Sequence, residues 1–265
     1  MEEKSNKLKL LLSNDNHSLW LSIALHLFPG IVAGLAYFPV AQIFWNNNIP
    51  TVLALHVVLI GILVPLELGI ILFSRKKKTD ITENKIAKIK LPSIILNTNK
   101  NSKKEIILYS FLSLVWAVLI LGFVDKELFV SDWIFQNWFN WLPEFYDMTG
   151  VYTNPELYSN GIRVLVLILS LIFGAIIGPF IEEIYFRGFL MPRIVKNKWF
   201  APVLNAVLFA LYHLWTPWMM PMRVLAVLPF IILVWWKKDI KIGIYSHIAL
   251  NLLGDVIMVI PLLFP

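Results

Sequence analysis

The chain contains no cysteine, which excludes disulfides, a thiolate nucleophile and thiolate metal ligands. Charge is scarce too: Asp, Glu, Lys and Arg make up 15% of the residues, where a soluble domain carries about a quarter. No internal repeat or low-complexity tract is visible, so nothing suggests the paired halves of a secondary transporter. The spans contain no HExxH zinc signature. The polar start MEEKSNKLKLLLSNDNHS leads into an apolar run too long for an h-region, so no signal peptide is expected. What the chain has in abundance is apolar sequence, 58% by the AVILMFWYC class, in runs of membrane-spanning length. It reads as an all-α, polytopic transmembrane helical bundle.

Seven spans are expected: Leu19–Trp45, with possible breaks at Pro29 or Pro39, Thr51–Phe73, Ile106–Phe123, Gly161–Arg193, Ala201–Trp215, Met222–Trp236 and Ile242–Phe264. An eighth helix is possible within Val130–Tyr146. Ser74–Glu105 carries ten Lys/Arg, whereas Val124–Asn160 carries one Lys and six acids. With RIVKNK and KKDIK at the later turns, the basic loops alternate, placing the N-terminus and all of them on the cytoplasmic side. The net charge of +6 is therefore a topology signal and a contact for anionic membrane lipids, not a nucleic-acid surface. The stretch WIFQNWFNWLPEFY reads as an interfacial aromatic-rich helix, with a cover over a site as the alternative. Residues 1–160 form an N-terminal membrane region and 161–265 a four-helix core, within one integral domain. The richness in Lys, Asn and Ile suggests a prokaryotic cell membrane.

Against this background PFIEEIYFRGF is anomalous, because it carries Glu182, Glu183 and Arg187 into apolar sequence. A charge at mid-membrane costs at least ~2.5–3.5 kcal/mol, so such residues are paired or functional. Glu183 and Arg187, four apart, share a helical face and can pair; Glu182 is left without a partner on its own helix. Counting roughly 1.5 Å per residue from the cytoplasmic ends puts Glu182 about 16 Å deep, His213 about 18 Å, and His247 and Asn251 about 9–15 Å. In FALYH, Phe209 and His213 share a face; in HIALN, His247 and Asn251 do, with Asp255 a turn beyond. Three helices thus bring polar groups to a similar level.

A desolvated Glu182 beside His213 could activate a water, with His247 and Asn251 donating hydrogen bonds to an oxyanion. Alternatively, Glu182, His213 and His247 form a His₂Glu set that suits zinc. His26 and His56 are expected to be structural or interfacial, Glu67 a structural acid, either a counter-charge to Arg187 or a snorkelling carboxylate, and Arg163 and Arg223 interfacial.

The three motifs, EExxxR at Glu182–Arg187, FxxxH at Phe209–His213 and HxxxN at His247–Asn251, resemble those of the CPBP (Abi) family of intramembrane peptidases. That family includes CAAX prenyl endopeptidases and bacteriocin-processing enzymes. The resemblance covers about 70 residues, from Glu182 to Asn251, and says little about Met1–Asn160. It implies an endopeptidase acting on a peptide or lipidated protein near its C-terminus. Glu182 and His213 would activate water, His247 and Asn251 would form the oxyanion hole, and Glu183, Arg187 and Phe209 would brace the site. Although such enzymes have been described as metallopeptidases, the residues favour a reaction without a metal cofactor, zinc being the alternative. A non-catalytic scaffold, immunity or signalling protein retaining the motifs, and a proton-coupled transporter, are the competing functions.

Overall fold

The computed structural model describes residues 11–74, 101–194 and 199–263. The N-terminal lysines, the basic stretch within Ser74–Glu105 and most of RIVKNK lie outside the described residues.

Among the described residues six helices are long and apolar enough to cross a membrane: α1 (Leu19–Asn46), α2 (Thr51–Phe73), α3 (Lys103–Leu128), α4 (Asn160–Arg193), α6 (Pro217–Lys237) and α7 (Ile240–Leu263). Many of their large apolar side chains face outward, as at Leu35, Ile107, Phe111, Phe123 and Ile257, which only a lipid surround makes favourable. The chain is an integral, multi-pass membrane protein. Among the described residues extended structure is limited to an isolated bridge between His17 and Ile194.

Local signals set the helix starts. Ser18 caps α1 and Ser159 caps α4, each accepting from a backbone N–H three residues on. Ser102 and Glu105 form a reciprocal capping box at the head of α3. α1 runs unbroken through Pro29 and Pro39, where the sequence allowed a break. Neighbouring helices in a membrane support such prolines.

The fifth expected span, Ala201–Trp215, is different. Its helix α5 (Phe200–Tyr212) has 13 residues and spans about 20 Å, too short to cross the hydrocarbon layer. It stops at His213, whose backbone is no longer helical (φ −79°, ψ 62°). α5 packs against α1 and α6, and α7 packs against α3 and α4. Buried aromatic side chains, among them Tyr185, Phe186, Phe209, Tyr212 and Phe230, fill the centre.

Residues 129–158 form short helical turns, not a single helix. Phe129 reverses the chain in the left-handed region (φ 52°), and Asp125 secures the turn by accepting from the Ser131 backbone N–H and hydroxyl. Trp133, Trp138 and Trp141 are exposed, as an interfacial role requires. The segment also reaches inward: the Tyr146 hydroxyl donates to the Leu214 carbonyl at 2.7 Å, just past His213. Burial pushes the Tyr146 phenol up to about 12, which keeps it a donor.

Candidate active site

Glu182 and Glu183 sit where α4 changes pitch. A short α-helical turn, Gly178–Glu182, separates two π-helical stretches, Ser170–Ile177 and Glu183–Leu190. The Gly178 N–H bonds the Phe173 carbonyl five residues back, and a Cβ there would lie 2.8 Å from that oxygen, so this wide turn needs glycine. π-helical turns of this kind are frequent at functional sites.

Glu183 and Arg187 pair as their spacing predicts. Arg187 Nη1 lies 3.0 Å from Glu183 Oε1, both side chains fully buried. This is an ion-pair approach without hydrogen-bond alignment, and the guanidinium is held by rings instead: its centre lies 4.0 Å from the Phe209 ring, 5.1 Å from Phe230 and 5.9 Å from Phe186. The same Glu183 oxygen is 3.0 Å from His247 Nδ1. A carboxylate facing Nδ1 fixes the ring and leaves Nε2 pointing at Glu182 Oε2, 3.8 Å away.

His213 is oriented differently. Its Nδ1 lies 2.8 Å from the Phe209 carbonyl, which can only accept, so Nδ1 carries the proton and Nε2 presents a lone pair. That Nε2 is 4.0 Å from Glu182 Oε1. The two imidazoles therefore flank one carboxylate, one at each oxygen. Phe209 links them, its ring edge-on to His213 at 4.6 Å and to His247 at 5.7 Å. On α7, Asn251 Nδ2 donates to the Gly174 carbonyl at 3.1 Å, leaving its second N–H free of that bond. Structure thus brings Glu182, His213, His247 and Asn251 to one cavity of ≈ 590 Å³, which Phe209 also lines, with Glu183 and Arg187 buried behind it.

Three residues outside the motifs join them. Glu67 of α2 is buried and accepts from the Tyr212 hydroxyl at 2.7 Å; that hydroxyl is 3.5 Å from Glu182 Oε1. Glu67 does not snorkel. Arg223, expected at the interface, is instead half-buried, lines the cavity and donates to the Thr216 hydroxyl at 2.8 Å. A helix of 18 residues after a tight turn at Pro217 brings it inward. Asp255 also lines the cavity. His26 is structural, as expected, closing a buried network through Ser22 and Asn205. His56 Nδ1 bonds the Val52 carbonyl within its own helix. Among the described residues no group of three or more His, Cys, Asp and Glu is placed to hold a metal ion.

In a comparison with protein families, residues 164–253 match Rce1-like, the type II CAAX prenyl endopeptidases. The matched stretch contains Glu182, Glu183, Arg187, Phe209, His213, His247 and Asn251. No curated protein and no solved structure matches the chain.

Proposed function

We propose that this chain, whose residues 164–253 match the Rce1-like, type II CAAX prenyl endopeptidases, is a membrane protease that hydrolyses a peptide or lipidated protein near its C-terminus by water activated without a metal. The observation that carries this reading is the 4.0 Å between Glu182 Oε1 and His213 Nε2. Both atoms are acceptors. They are too far apart for a direct bond, but one water can donate to both from about 2.8 Å.

Glu182 takes a proton from that water, and its oxygen attacks the carbonyl carbon of the scissile bond. The carbonyl electron pair moves onto oxygen, near Asn251 and His247. The free Nδ2–H of Asn251 donates there. His247 can donate from Nε2 only as imidazolium, because Nδ1 already faces Glu183; that charge would lie between the carboxylates of Glu183, which also faces Arg187, and Glu182. Collapse breaks the C–N bond, and Glu182 returns the proton to the leaving amine.

The cavity supports a lipidated substrate. Apart from its polar floor it is walled by Leu55, Leu59, Leu63, Val118, Leu250 and Ile257, a lining suited to an isoprenoid or acyl chain. The charge distribution along the sequence supports a cytoplasmic N-terminus, and the richness in Lys, Asn and Ile a prokaryotic membrane.

The test is cleavage of fluorogenic peptides, prenylated and unprenylated, by purified protein and by Glu182→Gln. Cleavage lost in the variant while its melting temperature is kept supports the reading. Equal cleavage by both proteins, or none by either under conditions where the fold is retained, favours a non-catalytic membrane protein.

A further inference from the structure

Glu67 is the one charged residue in α2, and a carboxylate inside a span is costly unless it is paired or functional. Its partner is the hydroxyl of Tyr212, the neighbour of His213. Other buried tyrosines of this protein need no carboxyl: Tyr37, Tyr146 and Tyr185 each donate to a backbone carbonyl. Tyr212 instead lies between two, Glu67 at 2.7 Å and Glu182 at 3.5 Å, and both line the cavity. A phenol has one proton to donate and lone pairs to accept with, so it can bridge two carboxyls that hold one proton between them.

We propose that Glu67 is a positioning residue for Glu182, storing through the Tyr212 hydroxyl the proton that Glu182 draws from water. This rests on the peptidase reading above. When water gives its proton to Glu182 and its oxygen bonds to the substrate carbon, the new Glu182 O–H donates to the Tyr212 oxygen. Tyr212 passes its own proton to Glu67 and regains one from Glu182. Tyr212 ends unchanged, Glu67 is protonated, and Glu182 is again a carboxylate facing the tetrahedral intermediate. The reverse transfer returns the proton to Glu182 as the C–N bond breaks and the amine leaves. The ionisable groups acting on Glu67 are Glu182, Tyr185 and Arg187 of α4 and Tyr212 of α5.

The experiment pairs kinetics with infrared spectroscopy. In Glu67→Gln and in Tyr212→Phe, kcat should fall about tenfold to a hundredfold, within the range of a positioned proton-transfer group, with KM nearly unchanged. The double variant should be no slower than the slower single, because the two act in one chain. Infrared spectra recorded through a pH titration should show a carboxyl carbonyl band that is absent in Glu67→Gln and displaced in both Tyr212→Phe and Glu182→Gln. Tyr212→Phe keeps both carboxyls and supplies the test should Glu67→Gln fail to fold. Unchanged kcat in both variants, or a Glu67 band indifferent to Glu182→Gln, overturns the proposal. If the wild-type protein cleaves no peptide, the peptidase reading fails on its own, and the infrared bands still decide whether the two carboxyls share a proton.

Discussion

Glu183 uses a single oxygen, Oε1, to meet both Arg187 and His247 at 3.0 Å, so the brace of the site and the orientation of its second histidine are one interaction. Its other oxygen, buried and without a hydrogen-bond partner among the described residues, lies against Gly243.

Arg187→Met should therefore damage more than an ion pair. It leaves Glu183 as a buried carboxylate with half its support, and removal of one partner from such a pair costs about 3–5 kcal/mol. A lower melting temperature in detergent, with kcat/KM falling alongside, is the expected result. Arg187→Lys should recover little, since an ammonium cannot lie flat on the Phe209 ring as the guanidinium does.

Gly243→Ala tests the room beside Glu183. The added Cβ would collide with Glu183 Oε2 and lie 3.0 Å from a Val234 methyl. Overpacking of this kind costs about 1–3 kcal/mol. Because Glu183 must shift, His247 turns with it, so activity should drop further than stability. Cleavage rates and melting curves of the same preparation separate the two effects.

Asn251→Ala should lower kcat about 10²- to 10³-fold, as expected for one oxyanion donor, with KM little changed. Single-turnover cleavage would show the loss in the chemical step. Dialysis against a strong chelator should leave kcat/KM of the wild-type protein as it was. Loss of activity there, restored by zinc, would transfer Glu182, His213 and His247 to metal ligation.

His17 offers a pH effect remote from the chemistry. Burial holds its pKa below the ordinary value of 6.5, and the Arg193 charge acts in the same direction, partly offset by the bond to the Leu12 carbonyl. The unfolded chain then binds the proton more readily than the folded one. The stability contributed by neutral His17 is complete above about pH 6.5 and is lost as pH falls from there toward the folded pKa. The difference in melting temperature between wild type and His17→Gln should shrink over that window.

The motif residues were legible because each pair lies on one helix. Four-residue spacing brings Glu183 to Arg187 and Phe209 to His213 whatever the rest of the chain does. Glu182, unpaired on its own helix, pointed across the bundle, and His213 and His247 meet it there. Tyr212 and Glu67 were not legible as a pair, since 145 residues separate them and only the packing of α2 beside α4 and α5 joins them. An intramembrane carboxyl without a partner was the available signal. The two π-helical stretches around Gly178–Glu182 also escaped, because counting at 3.6 residues per turn assumes the pitch that α4 abandons there. The same assumption of regular helix made α5 a span, although its chain leaves the helix at His213.

The bond from Tyr146 to the Leu214 carbonyl separates motif content from the smallest autonomous unit. A fragment of residues 164–253 would contain every motif side chain, yet it would lack the phenol that secures the turn after His213 and the α2 carboxyl beside Tyr212. The span of the motifs and the contacts that hold them have different boundaries in this chain, and the contacts reach back to Thr51, whose hydroxyl ties α2 to the Asp147 carbonyl.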